Sequence, residues 1–319
     1  MRPAVSLVCC LLGGLTGCAP GPAERSVGNA VAHLAREVPR WPRENACFSC
    51  HHSGDGARAL LLARQSGFDV PREALQETLE WLLRPESWDE QHGDPSFSDK
   101  KLARLQFSAA LGSAVAARAG ADNVSIEAAG AGVERLQDAS GAWAVEAADS
   151  PGSPVTWGSY LATSLMCRTL EALDARRFAE SIRRGRAWLQ AAPVRNVHEA
   201  AAVLIGLGRP AEVGAGTSRT GECLALLRRG RTPEGGWGPY VTSPAEVFDT
   251  ALVLLALGIA PETEETRLWI REGRQFLVQT QLEDGSWPAT TRPAGGESHA
   301  QATSTSAWAT LALLQTAQH

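Results

Sequence analysis

Several residue types are scarce in this chain of 319 residues, and their scarcity narrows what the protein can do. Lysine occurs only at Lys100 and Lys101, and the formal net charge is −5, which gives no reason to expect a nucleic-acid partner. Beyond the N-terminal segment, no stretch is long and apolar enough to cross a membrane. Met166 is the only methionine besides Met1, so thioether side chains are almost absent.

Alanine and leucine are abundant, whereas runs of β-branched residues are few. The chain is 44% hydrophobic and 20% charged, within the range of globular proteins, and it has ten tryptophans against two tyrosines. This composition predicts a globular, all-α protein.

The N-terminal segment predicts export. Arg2 gives a short positive region, and residues 4–15 form an apolar core too short to span a bilayer as a mature helix. Residues 15–18 (L-T-G-C) resemble the lipobox of bacterial lipoproteins, so we expect a signal peptide over 1–17 and lipidation of Cys18. A plain signal peptide with an incidental cysteine is the alternative. Ala19 favours a lipid anchor on the periplasmic face of the outer membrane.

Residues 47–51 read C-x-x-C-H, the attachment signature of a c-type haem. Two thiols at this spacing can add to the two vinyl groups of one porphyrin, and the adjacent histidine can then bind the iron. We therefore predict one covalent haem c on Cys47 and Cys50, with His51 as the proximal iron ligand. Export supports this prediction because haem c is attached outside the cytoplasm.

Other chemistries of the cysteine pair stay open at this stage. Cys47 and Cys50 could form a disulfide or a redox dithiol, although no βαβ pattern surrounds them. Together with His51 and His52 they could bind zinc, but the sequence has no second cysteine pair to complete a structural zinc site. The remaining mature cysteines are too few for a disulfide framework and predict small buried side chains; they are Cys167 and Cys223.

A repeat of the form Q-x-x-x-G-x-W organises the rest of the chain. It occurs at residues 137–143 and 281–287, and a third copy at 231–237 has arginine in place of glutamine. Amphipathic helical stretches precede the copies, and small, aliphatic helical stretches follow them. We predict about six helix hairpins, each with a buried inner helix and a half-exposed outer helix, closed into an α/α barrel.

These loops resemble the repeats of squalene-hopene cyclases and of protein prenyltransferase β subunits, the α/α toroid superfamily. The resemblance runs from about residue 120 to the C-terminus. Together with the export signal and the haem motif, this resemblance predicts three regions. They are the signal peptide (1–17), N-terminal hairpins with the haem motif (18–120) and toroid repeats (121–319). The resemblance also implies a structural role for the glutamines and tryptophans of the loops, namely Gln137, Trp143, Gln281 and Trp287.

The catalytic groups of that superfamily are not evident here. The acidic D-x-D-D cluster with which class II cyclases protonate an alkene is absent from the sequence. Prenyltransferases of this fold hold zinc with aspartate, cysteine and histidine, for which Asp249, Cys223 and His299 are the nominal candidates without the close D-x-C spacing. A simpler interpretation of Asp249 is a hydrogen bond to a neighbouring turn.

Two histidines on loops at the same end of the toroid, His92 and His299, are candidates for a distal iron ligand. Met166 is a further candidate that we expect in the core, and a five-coordinate iron is also possible. His52 is expected in solvent or at a haem propionate.

Three functions follow from these patterns. The main hypothesis is a periplasmic, membrane-anchored haem lipoprotein that passes electrons to redox partner proteins. The alternative is a toroid that binds or modifies an apolar, isoprenoid-like small molecule in its central cavity without the cyclase acid. A third possibility is a binding module in which Cys47 and Cys50 form a small disulfide loop. The sequence does not establish whether the protein is an enzyme.

Overall fold

The computed structural model describes residues 20–89, 99–120, 122–145, 151–208, 217–292 and 298–319. Apart from one isolated bridge between Arg231 and Trp237, these residues contain helices and loops only. The α-helices are α1 (Pro22–Asn45), α2 (Ala57–Gln65), α3 (Gln76–Leu82), α4 (Lys100–Ala116), α5 (Asn123–Arg135), α6 (Gly158–Asp174), α7 (Ala179–Ala191), α8 (Val197–Leu207), α9 (Thr217–Gly230), α10 (Val247–Leu257), α11 (Glu264–Thr280) and α12 (His299–Gln315). A π-helical segment, Cys50–Gly56, leads directly into α2.

The helices alternate between an outer and an inner layer. Each even-numbered helix packs against the next even-numbered one, and α12 packs against α2, so the six inner helices form a closed ring. The odd-numbered helices lie outside them, and α1 closes the outer layer by contacting both α11 and α12. The predicted all-α fold of about six hairpins is therefore confirmed.

The two layers differ in composition because they differ in burial. All eleven residues of α10 are buried, which explains why this helix is mostly aliphatic. Helix α11 buries only one stripe at helical spacing, which includes Trp269, Ile270 and Leu277, and its other faces carry charge. A Thr263–Thr266 capping box satisfies free N–H groups at the start of this outer helix.

Each Q-x-x-x-G-x-W loop joins the outer helix of a hairpin to its inner helix, and its side chains also contact the neighbouring hairpin. The Gln137 amide donates to the carbonyl of Gly141 in its own loop at 2.8 Å and to that of Ser181 in α7 at 2.9 Å. The indole N–H of Trp143 donates to Val133 O at the end of the preceding outer helix, at 2.8 Å. These residues are scaffold, because their polar groups are used to join one hairpin to the next.

The last of these loops closes the ring. Gln281 donates to Ser26 O in α1 at 2.9 Å, which ties the sixth hairpin to the first. Gly285 in the same loop has φ +90°, and a Cβ there would lie 2.4 Å from Asn29 O. Only glycine fits this position, because both the backbone conformation and the close approach of α1 exclude a side chain.

No helix in the described part of the chain has the length and apolar character needed to cross a membrane. The domain boundary predicted after residue 120 falls between α4 and α5, at the junction of the second and third hairpins. It stays a prediction.

Candidate functional site

A cavity of about 260 Å³ lies at the centre of the ring, toward the C-terminal ends of the inner helices. Every inner helix contributes an apolar side chain to its wall. These side chains include Leu61, Ala109, Leu165, Ile205, Leu255 and Leu311. Such a wall suits an apolar molecule or an apolar part of a larger one.

Two arginines give this cavity its charge. Arg58 and Trp308 line it together, and the guanidinium of Arg58 lies 4.9 Å from the centre of the Trp308 ring. Arg168 also lines the cavity but is exposed, and it forms no ion pair with any residue that the structure describes. An apolar ligand with an acidic head group would therefore find a cation at the exposed side of the cavity.

Asp55 lies behind Arg58 and is fully buried. Its Oδ1 accepts a hydrogen bond from Arg58 at 3.1 Å, and its Oδ2 accepts one from Ser304 at 2.9 Å. Burial raises the pKa of Asp55 to about 6, although Arg58 and Ser304 oppose this shift. Burial also lowers the pKa of Arg58. The carboxyl group is not part of the cavity wall, so the arginine separates it from any ligand there.

The C-x-x-C-H motif lies at the opposite end of the ring, where the first outer helix turns into the first inner helix. Helix α1 ends at Asn45, and the next residue, Ala46, reverses the chain with a φ of 51°. Ser49 then caps the π-helical segment by accepting a hydrogen bond from the backbone N–H of His51 at 3.1 Å. Cys50 and His51 lie in the first turn of that segment, and Cys47 precedes it. Both thiols are free in this structure.

Hydrogen bonding determines which nitrogen of His51 is available. Ser304 donates to Asp55, so its oxygen accepts from His51 Nδ1, 3.2 Å away. His51 Nε2 then carries the lone pair, 3.5 Å from Cys50 Sγ. Burial lowers the pKa of His51 to about 4, which keeps the imidazole neutral at neutral pH. This chain from imidazole to carboxylate through a hydroxyl is of the kind that orients metal-binding histidines.

Cys50 itself is poorly suited to thiol exchange. Burial, followed by the nearby charge of Asp55, raises the pKa of Cys50 to about 12. Thiol–disulfide exchange requires a thiolate, which is scarce at neutral pH when the pKa is this high. The environment therefore disfavours a redox dithiol.

His52 is not in solvent, contrary to the expectation. It is completely buried, and its ring stacks on Trp41 with the ring centres 4.7 Å apart. His299 packs against His52 at 5.0 Å between ring centres, and its Nε2 lies 3.2 Å from Glu37 Oε2. Burial and the neighbouring His299 lower the pKa of His52 to about 3. The solvent alternative is wrong because α1 and α12 converge over the motif, which residue spacing alone does not indicate. The contact with a haem propionate stays a prediction.

The remaining predictions concern the distal iron ligand and the lipidated cysteine. His92 and Cys18 lie outside the described residues, so distal ligation by His92 and lipidation of Cys18 stay predictions. Distal ligation by His299 is also untested, although its contact with Glu37 gives it another partner. Met166 is fully buried in α6, as expected of a core residue.

Asp249, Cys223 and His299, the nominal zinc ligands, each have different surroundings. Asp249 accepts a hydrogen bond from Arg292 in a neighbouring loop and lies 3.4 Å from His198 Nδ1. Cys223 is fully buried, and burial raises its pKa to about 12. His299 contacts Glu37 instead. Cys167 is buried like Cys223, which confirms the prediction of two small core side chains.

Sequence reasoning missed the buried pair Asp55–Arg58 and its partner Ser304. A signal was present, because an acid and a base three residues apart fall on one face of a helix. That signal indicates a pair and does not reveal its burial. The contact with Ser304 joins residues 249 positions apart, which periodicity cannot predict.

Comparisons with known proteins give the fold its name. No family model matches the sequence, and no curated protein matches it. Among solved structures, the chain is similar to a variant of the type II terpene cyclase MstE from Scytonema in complex with its substrate, geranylgeranyl dihydroxybenzoate. The TM-score is 0.59 and the sequence identity is 15%, and the match covers 93% of this chain and 97% of that chain. The chain is an α/α toroid. A protein from Actinoplanes has the same TM-score and identity, covering 93% of this chain and all of that one (100%). A further MstE variant, complexed with its product merosterolic acid A, has a TM-score of 0.58 and 14% identity, covering 92% of this chain and 96% of that chain.

Proposed function

We propose that this toroid binds an apolar, isoprenoid-like small molecule in its central cavity. The observation that carries the proposal is the cavity of about 260 Å³ whose wall is built from aliphatic side chains of all six inner helices. The fold comparison adds support, because MstE has the same fold and holds a geranylgeranyl compound. Burying an apolar chain against such a wall is favourable by about 25 cal/mol for each Å² removed from water.

The proposed activity is binding, with no cyclisation step. Among the described residues that line the cavity, the charged ones are Arg58 and Arg168, and no carboxyl group is present. Asp55 has a raised pKa, as a proton donor requires, but Arg58 lies between it and the cavity. A protonating acid must reach the reacting carbon, which this arrangement does not provide.

The test is to titrate the full chain with geranylgeraniol and follow tryptophan fluorescence, since Trp308 lines the cavity. Ala109→Phe fills the cavity from α4 and should weaken binding by about tenfold or more. Ala128→Phe adds the same ring at an exposed position of α5 and should leave the affinity unchanged. Absence of binding to the wild type, or equal affinity of the two variants, would overturn the proposal.

A second candidate function is a c-type haem protein, and the orientation of His51 favours it. His51 Nε2 carries the lone pair that an axial ligand requires, and its contact in this structure is the Cys50 thiol, which together with the Cys47 thiol would form the two thioethers. These three residues would hold the group at the end of the ring opposite the cavity. When bound, the haem would supply one-electron chemistry at iron.

This candidate is tested by expressing the chain with its signal peptide in a host that matures c-type cytochromes. A reduced pyridine haemochrome spectrum of covalent haem c is expected from the wild type, and Cys47→Ser and Cys50→Ser should abolish it. Cys223→Ala removes a buried thiol elsewhere and should retain the spectrum. A wild-type protein without haem would eliminate this candidate.

Export and anchoring complete the proposal. We place the mature chain on the periplasmic face of the outer membrane through a lipid on Cys18, on the basis of the lipobox-like sequence at residues 15–18. In this scheme Cys18→Ala moves the protein from the membrane fraction to the soluble fraction. Recovery of the wild-type protein without lipid, by mass spectrometry, would contradict the anchor.

A further inference from the structure

Three metal-binding side chains from three separate segments converge beside the C-x-x-C-H motif. Glu37 comes from α1, His52 from the π-helical segment, and His299 is the first residue of α12. Their ligand atoms all lie within 4.8 Å of one another. The three segments pack directly on each other, so the side chains are brought together by the closure of the ring.

The surroundings of these side chains leave one ligand atom without a hydrogen bond. Glu37 is 8% exposed, and its Oε1 accepts a hydrogen bond from Arg40 at 2.9 Å. Its Oε2 lies 3.2 Å from His299 Nε2 but has no partner in hydrogen-bond geometry. A buried carboxylate oxygen in this state is costly unless something else satisfies it.

The histidines are held in position for a shared ligand. His52 is fully buried and stacked on Trp41, and its two ring nitrogens lie near hydroxyls of Ser49 and Thr303, at 3.3 and 3.2 Å. An ion at one nitrogen would replace the hydroxyl contact made there, while the other nitrogen keeps its hydroxyl, the usual support of a metal-binding histidine. His299 is 44% exposed and gives an ion a route from solvent.

We propose that Glu37, His52 and His299 bind a divalent first-row transition ion such as Zn²⁺. Two imidazoles and one carboxylate are a ligand set typical of zinc and iron(II), and they leave coordination positions for water or a substrate. This site is separate from the proposed haem ligand, because His51 Nδ1 is bound to Ser304 and its Nε2 lies near Cys50. It is also separate from the central cavity, whose wall includes none of the three ligands.

The test is calorimetric titration of the chelator-treated full chain with Zn²⁺. One ion per chain is expected, and His299→Ala and Glu37→Gln should each weaken its binding by about 100-fold or more. His33→Ala is the matched control, since His33 lies 3.6 Å from the carboxylate of Asp284 and belongs to no three-ligand group among the described residues. This control should keep the wild-type affinity.

Two further measurements distinguish Zn²⁺ binding at this site from binding by the cysteines, and a lost ligand from a misfolded variant. The double variant Cys47→Ser/Cys50→Ser should bind Zn²⁺ as tightly as the wild type; loss of binding there would place the ion on the thiols and overturn the proposal. Urea unfolding of His299→Ala in the absence of metal should match the wild type, because this residue is partly exposed. Failure of the wild type to bind Zn²⁺, or unchanged affinity in both ligand variants, would also overturn it.

Discussion

The two ends of the ring of inner helices differ in chemistry. At the end where these helices start, His51, His52 and His299 lie among serines and buried carboxylates. Toward the other end, aliphatic side chains surround a cavity with an exposed arginine at its edge. The same six inner helices serve both ends, so the difference comes from which side chains they and the preceding segments place at each end.

The ion pair Asp55–Arg58 marks the boundary between the two ends. Asp55 faces the polar end through Ser304, whereas Arg58 faces the cavity through Trp308. Asp55 is in the π-helical segment and Arg58 is in α2, and only three positions separate them. The pair therefore connects the two environments across the junction of these two elements. We expect substitution of this pair to change the free energy of unfolding more than any other substitution discussed below.

The first prediction concerns the integrity of that boundary. Asp55→Leu leaves the buried Arg58 guanidinium without its partner and should lower the free energy of unfolding by about 3–5 kcal/mol, measured by urea denaturation. The double variant Asp55→Leu/Arg58→Met should recover most of that loss. Asp89→Leu is the matched control, because Asp89 pairs with Arg104 in a more exposed setting and its removal should cost about 1 kcal/mol or less. Equal losses at the two positions would show that the boundary pair has no special role.

The second prediction concerns the pH dependence of stability that results from protonation of Asp55. The folded-state pKa of Asp55, about 6, lies above its ordinary value of 3.8. Its contribution to stability is therefore fully present below pH 3.8 and is lost as pH rises through 6. Compared with Asp55→Asn, the wild type should lose up to about 3 kcal/mol of relative stability between pH 4 and pH 7. A stability difference that does not change with pH would contradict the raised pKa.

These contrasts also explain what could be predicted from the sequence. The inner helices, the outer helices and the Q-x-x-x-G-x-W loops have local signals, because periodicity and turn residues act over a few positions. The buried inner helix α10 and the half-exposed outer helix α11 are examples of such predicted elements. The burial of His52 and the clustering of Glu37 with His299 depend on closure of the ring, which joins residues more than 240 positions apart. No local pattern carries that information.

The smallest expected effect concerns Arg168, at the exposed side of the cavity. Arg168→Gln should change the free energy of unfolding by no more than about 0.5 kcal/mol, because the side chain is exposed and lacks an ion pair within the described residues. The substitution should instead lower the affinity for a ligand with an acidic head group. Binding of geranylgeranoic acid should weaken about two- to fivefold, as for the loss of one exposed charge pair, while binding of geranylgeraniol stays unchanged. Arg176→Gln removes a charge from the exposed end of the same hairpin, outside the cavity wall, and should alter neither ligand. If both variants weaken the acid equally, the effect is one of overall charge, and the arginine at the cavity does not select the head group.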